Sequence, residues 1–283
     1  MKLTQFGFSK LRWLSRNPAF QAAPVRVSFR VLSWEVLRLL NRSIRTNFDG
    51  DHGIILQPNE GISRLTYYFG HSEPETFAFM DAYLKNGMCV IDVGANVGLN
   101  AIYAARRVGS TGKVIAIEPD PSNFERIRQN IGDARFPQLD LIEAACGAEE
   151  GGKVIVHANE QDSSRTFVSM AEDGGGVPVV SIDRIVAERA LGSVDFLKID
   201  VEGFEGHVIK GALETIRSHK VKVILMELDG NLLKREGTSV EEVVSEIEKA
   251  GYKIAGWDFA ASSFRSADTL DHNTFFVLPS LLA

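Results

Sequence analysis

The sequence predicts an α/β fold in which a mostly parallel sheet is covered by helices. Three observations point to it. From residue 77 onward, strand-like and helical segments alternate. A Gly-rich turn, Asp92-Val93-Gly94-Ala95-Asn96-Val97-Gly98, joins the first strand of that series to a helix, and the second strand ends on an acid, Glu118. The expected strands are 88–93, 113–118, 139–144, 194–199 and 222–228.

The first 50 residues stand apart in charge. They carry nine Lys or Arg against Glu35 and Asp49, a balance of +7, and the chain total of -6 therefore leaves -13 for the remainder. Over 28–44 the apolar residues Phe29, Leu32, Val36, Leu39 and Leu40 follow helical spacing, with Arg30, Arg38, Arg42 and Arg45 on another face. This amphipathic helix has two readings: a surface that meets acidic lipid or a partner, or a helix packed on the main domain with a solvated basic face. The second is preferred, because one such helix binds membranes only weakly without a second signal. Ile54-Ile55-Leu56 and Leu65-Thr66-Tyr67-Tyr68-Phe69 then read as a β-hairpin. The expected organisation is a basic segment 1–50, a hairpin and leading segment 51–76, and a main domain 77–283 with an insertion at about 151–180.

Within the main domain, 99–108 reads as the helix after the Gly-rich turn. Asp120 can cap a second helix that has Pro121 at its first position, and Thr238 with Glu241 reads as a capping box before a helix stopped by Gly251. The insertion combines a β-like run at 153–157, a polar stretch through Ser164 and Gly174-Gly175-Gly176. It reads as a hairpin and flexible loop over the active site. At the end, 252–257 and 274–278 read as an antiparallel pair.

Composition excludes several classes. A chain of 283 residues with 45% apolar content can bury one sizeable core beside a small appended element. The only cysteines, Cys89 and Cys146, are too few for a disulfide framework or a zinc ribbon and read as core thiols. No run approaches the roughly 20 apolar residues of a membrane span, and no signal-peptide core is visible, so a cytoplasmic protein is expected. The acidic body argues against broad nucleic-acid binding.

The Gly-rich turn carries the chemistry. Gly94 allows an unusual backbone angle and close ligand approach, Gly98 allows the helix to pack near the strand, and the helix N-terminus offers N–H groups to a carboxylate. Twenty-four residues after Gly94, the Glu118 carboxylate can accept both hydroxyl protons of a ribose. NAD-binding proteins also place an acid near this spacing. Here, however, only Gly94 and Gly98 are present, so the Gly-x-Gly-x-x-Gly turn that admits a pyrophosphate is missing. Asp92 adds an acid where a cationic amine could bind, or caps the turn itself.

A further cluster, Lys198-Ile199-Asp200-Val201-Glu202-Gly203, follows the fourth strand of the series, where ligands of open α/β sheets gather. With it the sequence resembles the FkbM family of methyltransferases. The match rests on 92–98, Glu118-Pro119, and 198–203 followed by Glu205 and Lys210-Gly211-Ala212, with Tyr68-Phe69-Gly70 and Glu73-Pro74-Glu75 upstream. It covers roughly 60–230. The resemblance implies a class I methyltransferase Rossmann-like fold with a seven-stranded sheet whose last strand is antiparallel. It also implies S-adenosylmethionine as cofactor and O-methylation of a hydroxyl on a sugar, polyketide or related small molecule. The cofactor set on this reading is Asp92, Gly94, Ala95, Asn96, Gly98, Glu118 and Pro119, joined by Ala144 and Glu73.

Methyl transfer is an in-line displacement that needs alignment and removal of a hydroxyl proton. Asp200 is the first candidate for base or acceptor-orienting group, with holding the cofactor or the loop as its competing role. Glu227, ending the fifth apolar run, could flank the acceptor with it, and Glu202 is a weaker candidate. Glu205 reads as complementing the start of a helix. Asp200 and Glu227 could also hold a magnesium or calcium ion, but two ligands do not define a metal site. The six histidines are scattered, and only His157 beside the insertion merits a test as base. The polar stretch 159–164 could bind acceptor hydroxyls or simply be solvated. Two other functions compete: a non-catalytic cofactor-binding scaffold recruited through the basic helix, and an NAD-dependent oxidoreductase.

Overall fold

A computed structural model of the protein describes residues 15, 17–132, 136–148, 151–159, 162–171 and 175–283, with the backbone alone described within 158–165. The chain divides into two compact units, one ending at Pro74 and the other beginning at Glu75.

In the first unit, α1 (Pro18–Ala22) is capped by Asn17, whose Oδ1 accepts from Ala19 N at 2.9 Å. Helix α2 (Pro24–Leu39) follows, then a hairpin of β1 (Ile44–Phe48) and β2 (His52–Leu56), then α3 (Gly61–Phe69). The hairpin turn uses Asp49 and Gly50, both with positive φ, as tight hairpin turns require.

Two expectations change here. The hairpin pairs 44–48 with 52–56, and residues 61–69, expected to supply its second strand, are helical. The Ser63 hydroxyl donates to the Glu60 carboxylate and accepts from Gln57 N, which starts the helix. Gly70, at φ 95°, closes it by donating to Thr66 O. The β-favouring run Leu65–Phe69 is overridden because a helix lets Tyr67 and Tyr68 both reach Trp34, with ring centroids 5.3 and 6.4 Å away. In α2 itself the buried residues are Val27 and Trp34, whereas Phe29, Leu32, Val36, Leu39 and Leu40, the residues that define its periodicity, are exposed. Within its own unit the helix therefore packs through Trp34, not through that stripe.

The second unit opens with α4 (Pro74–Tyr83), β3 (Cys89–Val93), α5 (Leu99–Val108), β4 (Lys113–Glu118), α6 (Pro121–Ile131) and β5 (Leu139–Glu143). A small sheet follows, from β6 (Ala145–Cys146), β7 (Lys153–Asn159), β8 (Asp162–Met170) and β9 (Val177–Val180). The main series resumes with α7 (Ile182–Glu188), β10 (Val194–Ile199), α8 (Glu205–Lys210), α9 (Leu213–Arg217), β11 (Val221–Glu227), α10 (Gly230–Arg235) and α11 (Val240–Lys249). It ends with β12 (Lys253–Asp258), β13 (Ser263–Ser266) and β14 (Asn273–Val277).

The main sheet has the order β13-β12-β14-β11-β10-β3-β4-β5. Strands β5, β4, β3, β10 and β11 are parallel, and β14 enters antiparallel between β11 and β12. This is the expected Rossmann-like sheet with its antiparallel last strand, plus an eighth strand, β13. That strand is only four residues long and mostly polar. Phe264 anchors it, packing 4.8 Å from Trp257 and 5.8 Å from Phe79 of α4. Strands β3 and β10 are buried along their whole length, as parallel strands covered on both faces must be.

Local signals place the helices. Asp120 Oδ1 accepts from Ser122 N and Asn123 N at the start of α6. The capping box lies one residue later than expected: Ser239 and Glu242 form it, because Ser239 is the last extended residue before α11, while Thr238 donates its hydroxyl to the same Glu242. In the insertion, β7 and β8 form the expected hairpin. Gly176 is not a free loop glycine there, since at φ 104° a Cβ would sit 2.2 Å from Val154 O. Gly174 lies outside the described residues. Both cysteines are buried thiols, and burial pushes that of Cys89 up to about 11. Among the described residues, no helix is long and apolar enough to cross a membrane.

Candidate active site

The carboxyl ends of β3, β4 and β10 meet where the strand order reverses, because β3 pairs with β4 on one side and β10 on the other. Such a switch point opens a crevice above the sheet. Gly94 N and Ala95 N both donate to Ile117 O at 3.0 Å, and Asp200 N donates to Val93 O at 3.1 Å, so the loops after β3 and β10 are bonded to neighbouring strands.

The glycines are required by the protein's own packing. Gly94 has φ 80°, and a Cβ there would lie 1.8 Å from the carbonyl oxygen of Asp200. The close approach that Gly94 permits is thus that of the β10 loop. Gly98, at φ 86°, precedes α5, and its nearest neighbour is Ile127 of α6, 2.9 Å from a Cβ, rather than a strand. Between them Ala95 is buried and Asn96 adopts φ 55°.

Asn96 N donates to Glu118 Oε2 at 2.8 Å, and Asp120 N donates to Glu118 Oε1 at 2.9 Å. Both oxygens of Glu118 are therefore fixed at the end of β4, beside half-buried Pro119. Burial pushes the Glu118 carboxyl up to about 8 against the pull of those two N–H donors. Asp92 is buried on β3, level with Lys198 on β10 and Ala116 on β4. Ala144 is buried just past β5. Glu73 belongs to the first unit, one residue before α4.

Past β10 and β11 lies an acidic cluster. Asp200 Oδ2 accepts from the buried Lys198 ammonium at 2.7 Å. Glu227, at the end of β11, is displaced upward from the ordinary carboxylate range, first by burial and then by the negative charges of Asp200 and Glu202, with Lys198 opposing. On its other side Glu227 Oε1 lies 2.6 Å from His272 Nε2, and His272 is exposed. Glu202, at φ 52°, offers its carbonyl to Arg235 Nη2 at 2.8 Å. Glu205 serves the backbone instead, since its Oε1 accepts from Val201 N and Gly203 N, both at 3.2 Å, and so fastens the loop after β10. Burial raises its carboxyl to about 7.

The insertion reaches the same edge. The Arg235 guanidinium sits over the Phe167 ring at 4.0 Å while holding the Glu202 carbonyl. Phe204, in the loop after β10, packs in a small core with Val154, Val168 and Val179 of the insertion. His157, the histidine that merits a test as base, is stacked on Phe167 at 4.8 Å, with Nε2 2.8 Å from Ser169 Oγ. The acceptor-binding reading of 159–164 falls outside the described side chains, and Glu160 and Gln161 lie outside the described residues altogether. Among the described residues, no group of three or more His, Cys, Asp or Glu is arranged to hold a metal ion.

The geometry thus groups Gly94, Ala95, Asn96, Gly98, Glu118 and Pro119 around one turn, and Asp200, Glu202 and Glu227 around the next. Three partners escape sequence reading. Lys198 carries a signal, being a lysine inside a mostly apolar strand two residues before an acid. His272 and Arg235 carry none, since their positions depend on how loops fold back.

Residues 92–254 match the Methyltransferase FkbM domain family. Hexuronic acid methyltransferase AglP of Haloferax volcanii is 24% identical over 149 residues, covering 53% of this chain and 59% of that protein. AMB antimetabolite synthetase AmbE of Pseudomonas aeruginosa is 25% identical over 189 residues, covering 53% of this chain and 9% of that protein. The chain therefore spans less than two thirds of the length of either relative. A solved structure of methyltransferase FkbM from Methylobacillus flagellatus KT aligns with a TM-score of 0.43 at 16% identity, over 92% of this chain and 60% of that one. Since the family match begins at the strand before the Gly-rich turn and takes in more than half of the chain, the protein belongs to the FkbM methyltransferase family.

Proposed function

We propose that the protein transfers the methyl group of S-adenosylmethionine to a hydroxyl on a sugar, polyketide or related small molecule. The observation that carries this reading is Glu118. Its two oxygens each receive one backbone N–H, and a carboxylate with about four lone-pair positions keeps acceptor capacity on both for a pair of ribose hydroxyls. The rest of the donor set fits the same group. Asp92 would meet its amine, the backbone of Ala95, Asn96 and Gly98 its carboxylate, and Pro119 and Ala144 its base. Glu73 is added on the family likeness alone. When bound, S-adenosylmethionine supplies an electrophilic methyl carbon on a sulfonium.

The chain's own residues then orient the acceptor and dispose of its proton. Lys198 anchors one oxygen of Asp200, leaving the carboxyl to accept a hydrogen bond from the acceptor hydroxyl. Glu227 lies beside Asp200 in a setting that favours its neutral form, so the two carboxyls can share the released proton. From Glu227 the proton has a path to exposed His272, 2.6 Å away. Glu202 deepens the negative potential of the pocket. That potential favours a neutral hydroxyl over a carboxylate as acceptor, because like charges repel in a site of low dielectric. The name of the Haloferax volcanii relative, a hexuronic acid methyltransferase, supports the sugar class.

The test is a panel of hydroxylated acceptors incubated with labelled S-adenosylmethionine, with methyl incorporation read by mass. A labelled ether product supports the reading. S-adenosylhomocysteine binding with no transfer to any acceptor favours the cofactor-binding scaffold, and binding of NAD in its place would support an oxidoreductase.

A further inference from the structure

The apolar stripe of α2 has no role in the chemistry above. Val25, Phe29, Leu32, Val36, Leu39 and Leu40 are between 55 and 83% exposed, while Val27 and Trp34 on the opposite side are buried. At 100° per residue the six fall within an arc of about 100°, and they run about 22 Å along the helix. Soluble proteins scatter exposed apolar side chains singly, and a continuous stripe of this length marks an interaction surface.

The helix is held so that the stripe points away from its own unit. Trp34 packs on Tyr67 and Tyr68, Ser33 Oγ lies 3.1 Å from Tyr67 Oη, and the Arg30 guanidinium sits 5.8 Å from the Tyr67 ring. Those contacts consume the inner face and leave the stripe outward.

Charge selects the occupant. Arg26 and Arg42, both exposed, lie near the stripe and its C-terminal end, and residues 1–50 carry +7 against -13 for the rest of the chain. A second copy would bring two +7 segments together, which opposes self-pairing. An anionic surface attracts this segment, repels the acidic remainder, and accepts large apolar side chains below its headgroups. We infer that α2 docks on an anionic lipid surface, lying in the interface with the Phe29–Leu32 stripe buried among the acyl chains. Phosphates of the headgroups meet the arginines, and the inner face stays on α3.

The test is sedimentation of the full-length protein with vesicles of phosphatidylcholine alone or with about a third phosphatidylglycerol. Binding is expected to the anionic vesicles only and to weaken as salt is raised. The double variant Phe29→Ser/Leu32→Ser should bind at least about tenfold more weakly, since two buried side chains are lost. Phe259→Ser, at an exposed phenylalanine outside this stripe, should bind as the native protein does. Unchanged thermal melting and S-adenosylhomocysteine affinity in the double variant show that the fold is intact. Three results would each overturn the inference: no sedimentation with anionic vesicles, equal binding by the native protein and the double variant, or loss in that variant of a dimer seen by size exclusion, which would assign the stripe to self-association.

Discussion

Glu118 accepts two backbone N–H bonds and is nevertheless pushed toward its neutral form by burial. The sign of its effect on stability follows. With a native value near 8 and an unfolded one near 4.5, the native state holds more protons between those limits, so ionising Glu118 costs stability as pH rises through that window. Measured by thermal melting from pH 5 to 8, the native protein should lose stability relative to Glu118→Gln by up to about 1.4 kcal/mol per pH unit. Parallel curves for the two proteins would remove the assignment. Asp200 differs, because its Oδ2 accepts from the Lys198 ammonium. Asp200→Asn should lower kcat by about 100-fold while changing S-adenosylhomocysteine affinity less than about threefold, the pattern of a group acting on the acceptor. An equal loss in cofactor affinity would place it in cofactor binding instead. The Lys198 ammonium already sets a positive charge against Asp200, so methyl transfer is expected to survive thorough chelation.

Elements differ in how openly the sequence declares them. The five parallel strands lie within one residue of their expected ends, because strands buried on both faces, such as Cys89–Val93 and Val194–Ile199, are mostly apolar, with only Asp92, Asp195 and Lys198 interrupting the two. The Gly-rich turn is equally legible, although the atom that forbids a side chain at Gly94 belongs to Asp200, more than a hundred residues away. Gly94→Ala should therefore destabilise the fold by about 3 kcal/mol or more, through a backbone collision at positive φ. Helix α3 is not legible, since Leu65-Thr66-Tyr67-Tyr68-Phe69 favours a strand locally and only its packing on Trp34 decides otherwise. Strand β13 is too short and polar for any periodicity. The loops hide most: the contact of Phe167 with Arg235, and of Arg235 with the Glu202 carbonyl, joins three segments with no shared pattern. Arg235→Ala should raise the KM for the acceptor several-fold and increase proteolytic nicking of the β7–β8 hairpin, with cofactor affinity retained. Unaltered KM and nicking would mean that the hairpin is held by its small apolar core alone.

At the scale of the molecule, the two units carry different chemistry. The second presents the Gly94 turn and the acidic cluster at the carboxyl ends of its parallel strands, with the loop after β3 bonded to Ile117 of β4 and the loop after β10 bonded to Val93 of β3. The first presents a basic, apolar-striped helix. Methyl transfer on this reading depends on the turn and Glu118 forming the methyl-donor site, and calorimetric titration of Glu118→Ala with S-adenosylhomocysteine tests that most directly. Loss of the ribose contacts should weaken binding by at least about tenfold in a protein that still melts cooperatively, as expected for two hydrogen bonds. Near-native affinity in that variant would contradict it.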